Sequence, residues 1–140
     1  MFTYSRIRWA IALFALTLAA CSGASPAAPV IRDLVVDPST VRAAKLGDVA
    51  SLPTVVGTLG YDDDDGDVAE LETTIEADGV APSTSRIALK TPSNAQRGTL
   101  TFRLTLVTFA ARRMTVKVAV YDRAQHRSNE LTAVVEATAP

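Results

Sequence analysis

A single cysteine and a single histidine stand among 140 residues, and these scarcities exclude more than any motif does. One thiol forms no internal disulfide and no cysteine-based zinc site, and one imidazole supplies no histidine-rich metal centre. The catalytic inventory is equally thin, with no G-x-S-x-G, P-loop or zinc signature. A serine nucleophile needs a base, and nothing in the spacing nominates one. His126, between Gln125 and Arg127, reads as an exposed loop residue. Neither sign of charge dominates, at 14 basic and 15 acidic residues. Only Arg6 and Arg8 are charged before residue 30, so the remainder carries 14 − 2 = 12 basic groups against 15 acidic ones. That balance argues against a nucleic-acid partner. With 48% hydrophobic and 21% charged residues, the chain has the composition of a folded domain rather than of a polar disordered one.

The N-terminal apolar run, Trp9 to Ala20, has 12 residues and falls short of the roughly 20 that a membrane-spanning helix needs. It follows Arg6 and Arg8 and matches the core of a secretory signal, about 7 to 15 residues long. The run closes on Leu18-Ala19-Ala20-Cys21 and turns into Ser22-Gly23-Ala24-Ser25-Pro26. These residues resemble the lipobox of bacterial lipoproteins. The resemblance implies a diacylglycerol on the Cys21 thiol, cleavage before Cys21, and acylation of the new amino terminus. One lipid chain holds a protein to a membrane only marginally, whereas several hold it almost permanently. In that family Ser rather than Asp after the cysteine goes with sorting to the outer membrane, so for a two-membrane bacterium the resemblance at Ser22 implies that destination. The competing reading is an ordinary secretory signal with an incidental cysteine. The expected organisation is therefore a signal peptide over 1–20, a tether of small residues and prolines over 21–29, and one domain over 30–138.

Within that domain, apolar residues recur at every second position. Leu100, Phe102, Leu104 and Leu106 alternate with Thr99, Thr101, Arg103 and Thr105, and Met114, Val116, Val118 and Val120 alternate with Thr115, Lys117, Ala119 and Tyr121. Each pattern predicts a strand with one buried face. Weaker alternation covers Val30 to Val36, Thr54 to Tyr61, Ala69 to Ile75, Ser85 to Leu89 and Asn129 to Ala137, which brings the expected strands to seven. Ser39 to Ser51 is expected to be a loop, with Val41 to Gly47 as its one candidate helical turn. Short strands between turn signals predict an all-β, two-sheet sandwich.

Leu34-x-Val36-x-Pro38, the run Tyr61 to Val68, Val118-x-Val120-Tyr121-Asp122-Arg123-Ala124 and Ser128-Asn129-x-Leu131 resemble bacterial immunoglobulin-like domains of the PKD, cadherin-like and fibronectin type III kind. The resemblance implies a seven-stranded immunoglobulin-like sandwich that serves as a non-enzymatic binding or structural module. It covers about 110 residues and consists mostly of turn chemistry. The domain departs from antibody-type members in having no cysteine pair and no tryptophan, and Gln125-His126 stands where the last hairpin usually has Gly-Asn.

Asp62 to Asp67 crowds five carboxylates around Gly66, a density that repels itself unless water or a cation screens it. The run fails as a helix-loop-helix calcium loop, because Tyr61 occupies the position where the first aspartate belongs. A looser calcium site is expected instead, with Asp63, Asp65, Asp67 and Asp122 as ligands. In an immunoglobulin-like order the loops after the second, fourth and sixth strands share one end, which brings Asp62 to Asp67, Pro92 to Gly98 and Asp122 to Asn129 together. A solvated Asp-Gly turn, neutralised by Arg123 or Arg127, is the plainer alternative. Arg112-Arg113 reads as a solvated turn. The functional expectation is an envelope module anchored to the membrane through lipid on Cys21, with envelope proteins or glycans as partners, no cofactor other than calcium, and no enzymatic activity. The alternative is a small lipoprotein subunit of an envelope secretion or pilus complex.

Overall fold

The computed structural model describes residues 27–90 and 95–140. The signal peptide, Cys21, most of the tether and the segment 91–94 lie outside the described residues. The described chain forms eight strands: β1 (Val30–Asp37), β2 (Thr40–Arg42), β3 (Thr54–Asp62), β4 (Val68–Ala77), β5 (Val80–Ala88), β6 (Arg97–Thr105), β7 (Arg112–Asp122) and β8 (Leu131–Thr138). They build a three-stranded sheet in the order β1-β3-β6 and a five-stranded sheet in the order β2-β8-β7-β4-β5. All pairings are antiparallel except β2 with β8. This is an immunoglobulin-like sandwich, with consecutive strands distributed between two facing sheets.

Every segment marked by alternation is a strand, and β2 is the one alternation does not mark. The chain leaves the three-stranded sheet after Asp37, crosses at Pro38, and joins the far edge of the other sheet, where Thr40, Val41 and Arg42 pair with Glu136, Ala137 and Thr138. The amide of Glu136 donates to the Ser39 carbonyl at 2.8 Å. Ser39 to Ser51 is thus not wholly a loop, and its helical turn is a short 3-10 turn at Val49–Ser51, not at residues 41–47. Three residues are too few to show a period, and Val41 is held extended by its buried place on the edge of β8. β5 begins at Val80, earlier than its sequence pattern suggests, because its residues are exposed throughout and show no apolar alternation.

The core lies between the sheets. Leu100, Phe102 and Leu106 project from β6 and its end toward Met114, Val116, Val118 and Val120 of β7, and all seven are buried. Leu104, expected to be buried with them, is only half-buried, since β6 is an outer strand. Phe102 pairs with Gly57 across β3 and β6, and its ring covers the glycine so closely that a Cβ there would overlap ring carbons. Tyr61 covers Gly98 in the same manner, at 2.7 Å from where a Cβ would stand. Each glycine is a seat for an aromatic ring, which is why a residue that weakens strands is tolerated there.

Phe102→Ala should cost about 3 to 5 kcal/mol, a large part of a marginal total. Thr101→Ala, on the solvent face of the same strand, should stay within about 0.5 kcal/mol. Gly57→Ala should also destabilise, because its methyl and the Phe102 ring cannot both be accommodated. Urea denaturation of the three variants checks this, and equal losses for Phe102→Ala and Thr101→Ala would contradict the alternation.

Candidate functional site

Three loops meet at the end of the sandwich where β1 begins. β3 ends at Asp62, the chain turns through Asp63 to Asp67, and β4 starts at Val68. Gly66 takes the left-handed conformation (φ 66°) that the turn needs, and its amide donates to the Asp63 carbonyl at 3.1 Å. The connection from β5 to β6 closes over this turn, with Asp63 N donating to Gln96 O at 2.8 Å and Gln96 Nε2 donating to Asp64 O at 2.6 Å. The β7–β8 loop completes the end. Asn129 clamps the first residues of β1 by accepting from Ile31 N at 2.8 Å and donating to Ile31 O at 2.9 Å. The convergence expected from strand order is present among the described residues.

The aspartates are not equivalent within this frame. Asp63 is 3% exposed and accepts the Asp67 amide on Oδ2 at 2.7 Å, while its Oδ1 is buried with no hydrogen-bond partner among the described residues. Asp67 Oδ1 is likewise buried and unpartnered. Burial raises the Asp67 carboxyl above the ordinary carboxylate range, and the negative charges of Asp122, Asp63 and Asp65 raise it further against the opposing pull of Arg123. Asp122, at 0% exposure, commits both oxygens to one residue: Oδ1 accepts from His126 N at 2.8 Å, and Oδ2 lies 2.7 Å from His126 Nδ1. Asp64 and Asp65 are exposed. Asp62, half-buried, is neutralised by Arg32 and by Arg97 at 3.0 Å. Asp63 and Asp67 are therefore adjacent, Asp122 acts on Asp67 by its charge, and Asp65 points to solvent. Among the described residues no group of three or more Asp, Glu, His or Cys side chains is arranged to hold a metal ion.

Two expectations change at this end. His126 is half-buried and bound to Asp122 rather than a free loop residue. Arg127 does not neutralise the acidic loop; it reaches Glu72 at 3.3 Å and Glu130 at 2.7 Å. Arg112 is also no solvated turn residue, since it opens β7 and its Nε is buried without a hydrogen-bond partner.

A polar network on the outer face of the five-stranded sheet has no counterpart in the sequence reading. Arg86 of β5 lies 3.6 Å from the centre of the Tyr121 ring and donates to Glu72 at 2.9 Å, while the Tyr121 hydroxyl donates to Glu72 at 3.2 Å. The Arg86 hydrogen bond, with those of Tyr121 and Arg127, holds the Glu72 carboxyl below its ordinary range although burial opposes the shift. Alternation places Glu72, Arg86 and Tyr121 on outer faces of three strands, but only the register brings them together.

No protein-family model matches the chain, and no curated protein matches it. Among solved structures it is similar to the PKD domain of an M14-like peptidase from Thermoplasmatales archaeon SCGC AB-540-F20, at 18% identity and a TM-score of 0.47, over 81% of this chain and 99% of that one. It is also similar to a Niemann-Pick type C2 protein from the Japanese carpenter ant, at 9% identity and a TM-score of 0.42, over 82% and 96% of the two chains. The class itself rests on the strand order given above, that of an immunoglobulin-like β-sandwich.

With its carboxyl raised, Asp67 binds a proton more tightly in the folded state than in the unfolded one. That contribution is fully present below the unfolded carboxylate value of about 3.9 and is lost as pH rises through the folded value. In chelator at pH 7, Asp67→Asn should therefore melt at a higher temperature than the parent chain. The gap should close toward about pH 3, where the parent's carboxyl is itself neutral. Melting curves across pH decide it, and a variant less stable at pH 7 would mean that the Asp67 charge is compensated.

Proposed function

We propose that the chain is a lipid-anchored, non-enzymatic immunoglobulin-like module, displayed from the outer membrane by acyl chains on Cys21. The observation that carries this reading is the start of the fold. β1 opens at Val30, directly after the small-residue and proline stretch, and its first pairing is with Asp62 at the acidic end. A tether from Cys21 to Val30 spans at most about 30 Å when fully extended, so the acidic end would face the membrane and the opposite end, where β8 finishes, would face away. Replacing Cys21 by Ala should move the protein from the membrane fraction to the soluble fraction and remove lipid labelling, with an unchanged circular dichroism spectrum. A Cys21→Ala chain that still sediments with membranes would overturn the anchor.

The same reading includes weak calcium binding at the acidic end. The buried, unpartnered Oδ1 atoms of Asp63 and Asp67 support it, because an uncompensated buried carboxylate oxygen is costly and a hard cation relieves that cost. Asp65 would add a ligand from the solvent side, and Asp122 would add one by releasing His126. An open surface loop of this kind should bind with a dissociation constant of about 0.1 to 1 mM. About 10 mM calcium at fixed ionic strength should then raise the melting temperature, and Asp63→Asn should remove the increment. No titration heat and no thermal shift would leave the solvated turn as the explanation. The second reading, a subunit of an envelope secretion or pilus complex, is favoured by the open sheet edge along β5.

A further inference from the structure

Along one side of the sandwich the two sheets do not close. β5 is the outer strand of one sheet and β6 the outer strand of the other, and among the described residues no strand pairs with the free side of either. Between them runs an open seam. Its first part is a cleft of about 180 Å³ lined by Ile75, Ala77, Val80, Val107, Met114 and Arg112. A second cleft of about 230 Å³ continues it beneath Ser83, Ile87, Arg103 and Leu104. Ile75, Ser83 and Thr105 line both.

The edge above this seam is little protected. All nine residues of β5 are exposed, including Val80 at 50% and Ile87 at 46%, and Val107 across the seam is 72% exposed. Leu89 N donates to Ala69 O at 2.7 Å, so the antiparallel alternation turns the amides of Thr84, Arg86 and Ala88 outward. Sheet edges are ordinarily blunted by charge, proline or shortness. Here Pro82 sits near one end, and the only charge, Arg86, is drawn onto Tyr121 and Glu72. The seam is also electrostatically one-sided. Among the described residues, Arg112 Nε is buried without a hydrogen-bond partner, Arg103 is exposed, and no carboxylate lines either cleft.

We propose that this seam docks an extended segment of a partner protein, one with alternating apolar side chains and an acidic residue. The segment adds as a strand to the free edge of β5, with its apolar side chains in the two clefts and its carboxylate on Arg112 and Arg103. Main-chain hydrogen bonds supply affinity and the clefts supply specificity. A second copy of this chain fits less well, because its β5 carries Arg86 and no carboxylate. The tether fits less well too, since Ser22 to Pro29 has neither a large apolar side chain nor an acid. The proposal rests on the binding-module reading and is independent of the lipid anchor.

The test uses the full-length chain in detergent and a fluorescent ten-residue peptide that alternates valine and threonine around one glutamate, followed by anisotropy. Saturable binding below about 1 mM is expected, at least tenfold weaker when the peptide's glutamate is replaced by lysine. Thr84→Pro, which removes an outward amide from an edge strand that tolerates proline, should abolish binding. Arg103→Glu should invert the preference in favour of the lysine peptide, a reversal that partial unfolding does not produce. No saturable binding of either peptide would overturn the proposal, as would binding that Thr84→Pro and Arg103→Glu leave unchanged. A dimer in sedimentation that Thr84→Pro dissolves would overturn it in favour of a second copy. None of these readouts depends on the membrane fractionation of Cys21→Ala, so a failed docking site and a failed anchor are distinguishable.

Discussion

The burial of one face of β7 against the opposing sheet is the constraint from which the rest of the structure follows. Met114, Val116, Val118 and Val120 repeat along that face, and each is buried. β7 lies between β4 and β8 at the centre of the larger sheet, so its register positions the strands on both sides. Burying apolar area is worth about 25 cal/mol per Å², and β7 buries four alternate large apolar side chains in succession. The smaller sheet answers with Leu100 and Phe102, and Phe102 reaches its place only because Gly57 leaves room for the ring.

From that arrangement the two ends of the sandwich acquire different chemistry. The end where β1 starts gathers Asp62 to Asp67, Asp122 and the Asn129 clamp, and it pairs some carboxylates while leaving others short of partners. Asp62 has two arginines and Asp122 has His126, whereas Asp63 and Asp67 each bury one unpartnered oxygen. Unpaired buried acceptors destabilise by roughly 1 to 3 kcal/mol each, a cost that a folded domain carries more readily when something else compensates it. The proposed cation and a proton on the Asp67 carboxyl, which burial favours, are alternative answers to the same desolvation.

The open side has a different physical origin. The larger sheet has five strands and the smaller has three, so β5 extends its sheet without a strand opposite to cover it. Of its inward side chains, Ser83 and Ser85 are too small to seal the seam, and Ile87 stays 46% exposed. Leu104 stays half-buried for the same reason. The polar network of Arg86, Glu72 and Tyr121 fixes the outer face of β5 to the sheet, which keeps the edge extended without using its outward amides. An extended edge that no strand among the described residues pairs is the geometry that strand addition requires.

Alternation in the sequence by itself determined that the domain is built of strands, where most of them run, and which face of β6 and β7 is buried. Those features are local: a period of two and a run of aspartates around Gly66 are legible without knowing what lies across the sheet. Tertiary structure alone decided the rest. It made β2 a strand, because three residues become extended only by pairing with β8. It brought Glu72, Arg86 and Tyr121 into contact through registers that no single segment encodes. It also left β5 on an open edge, since whether a strand has a neighbour is a property of the sheets around it and not of its own residues.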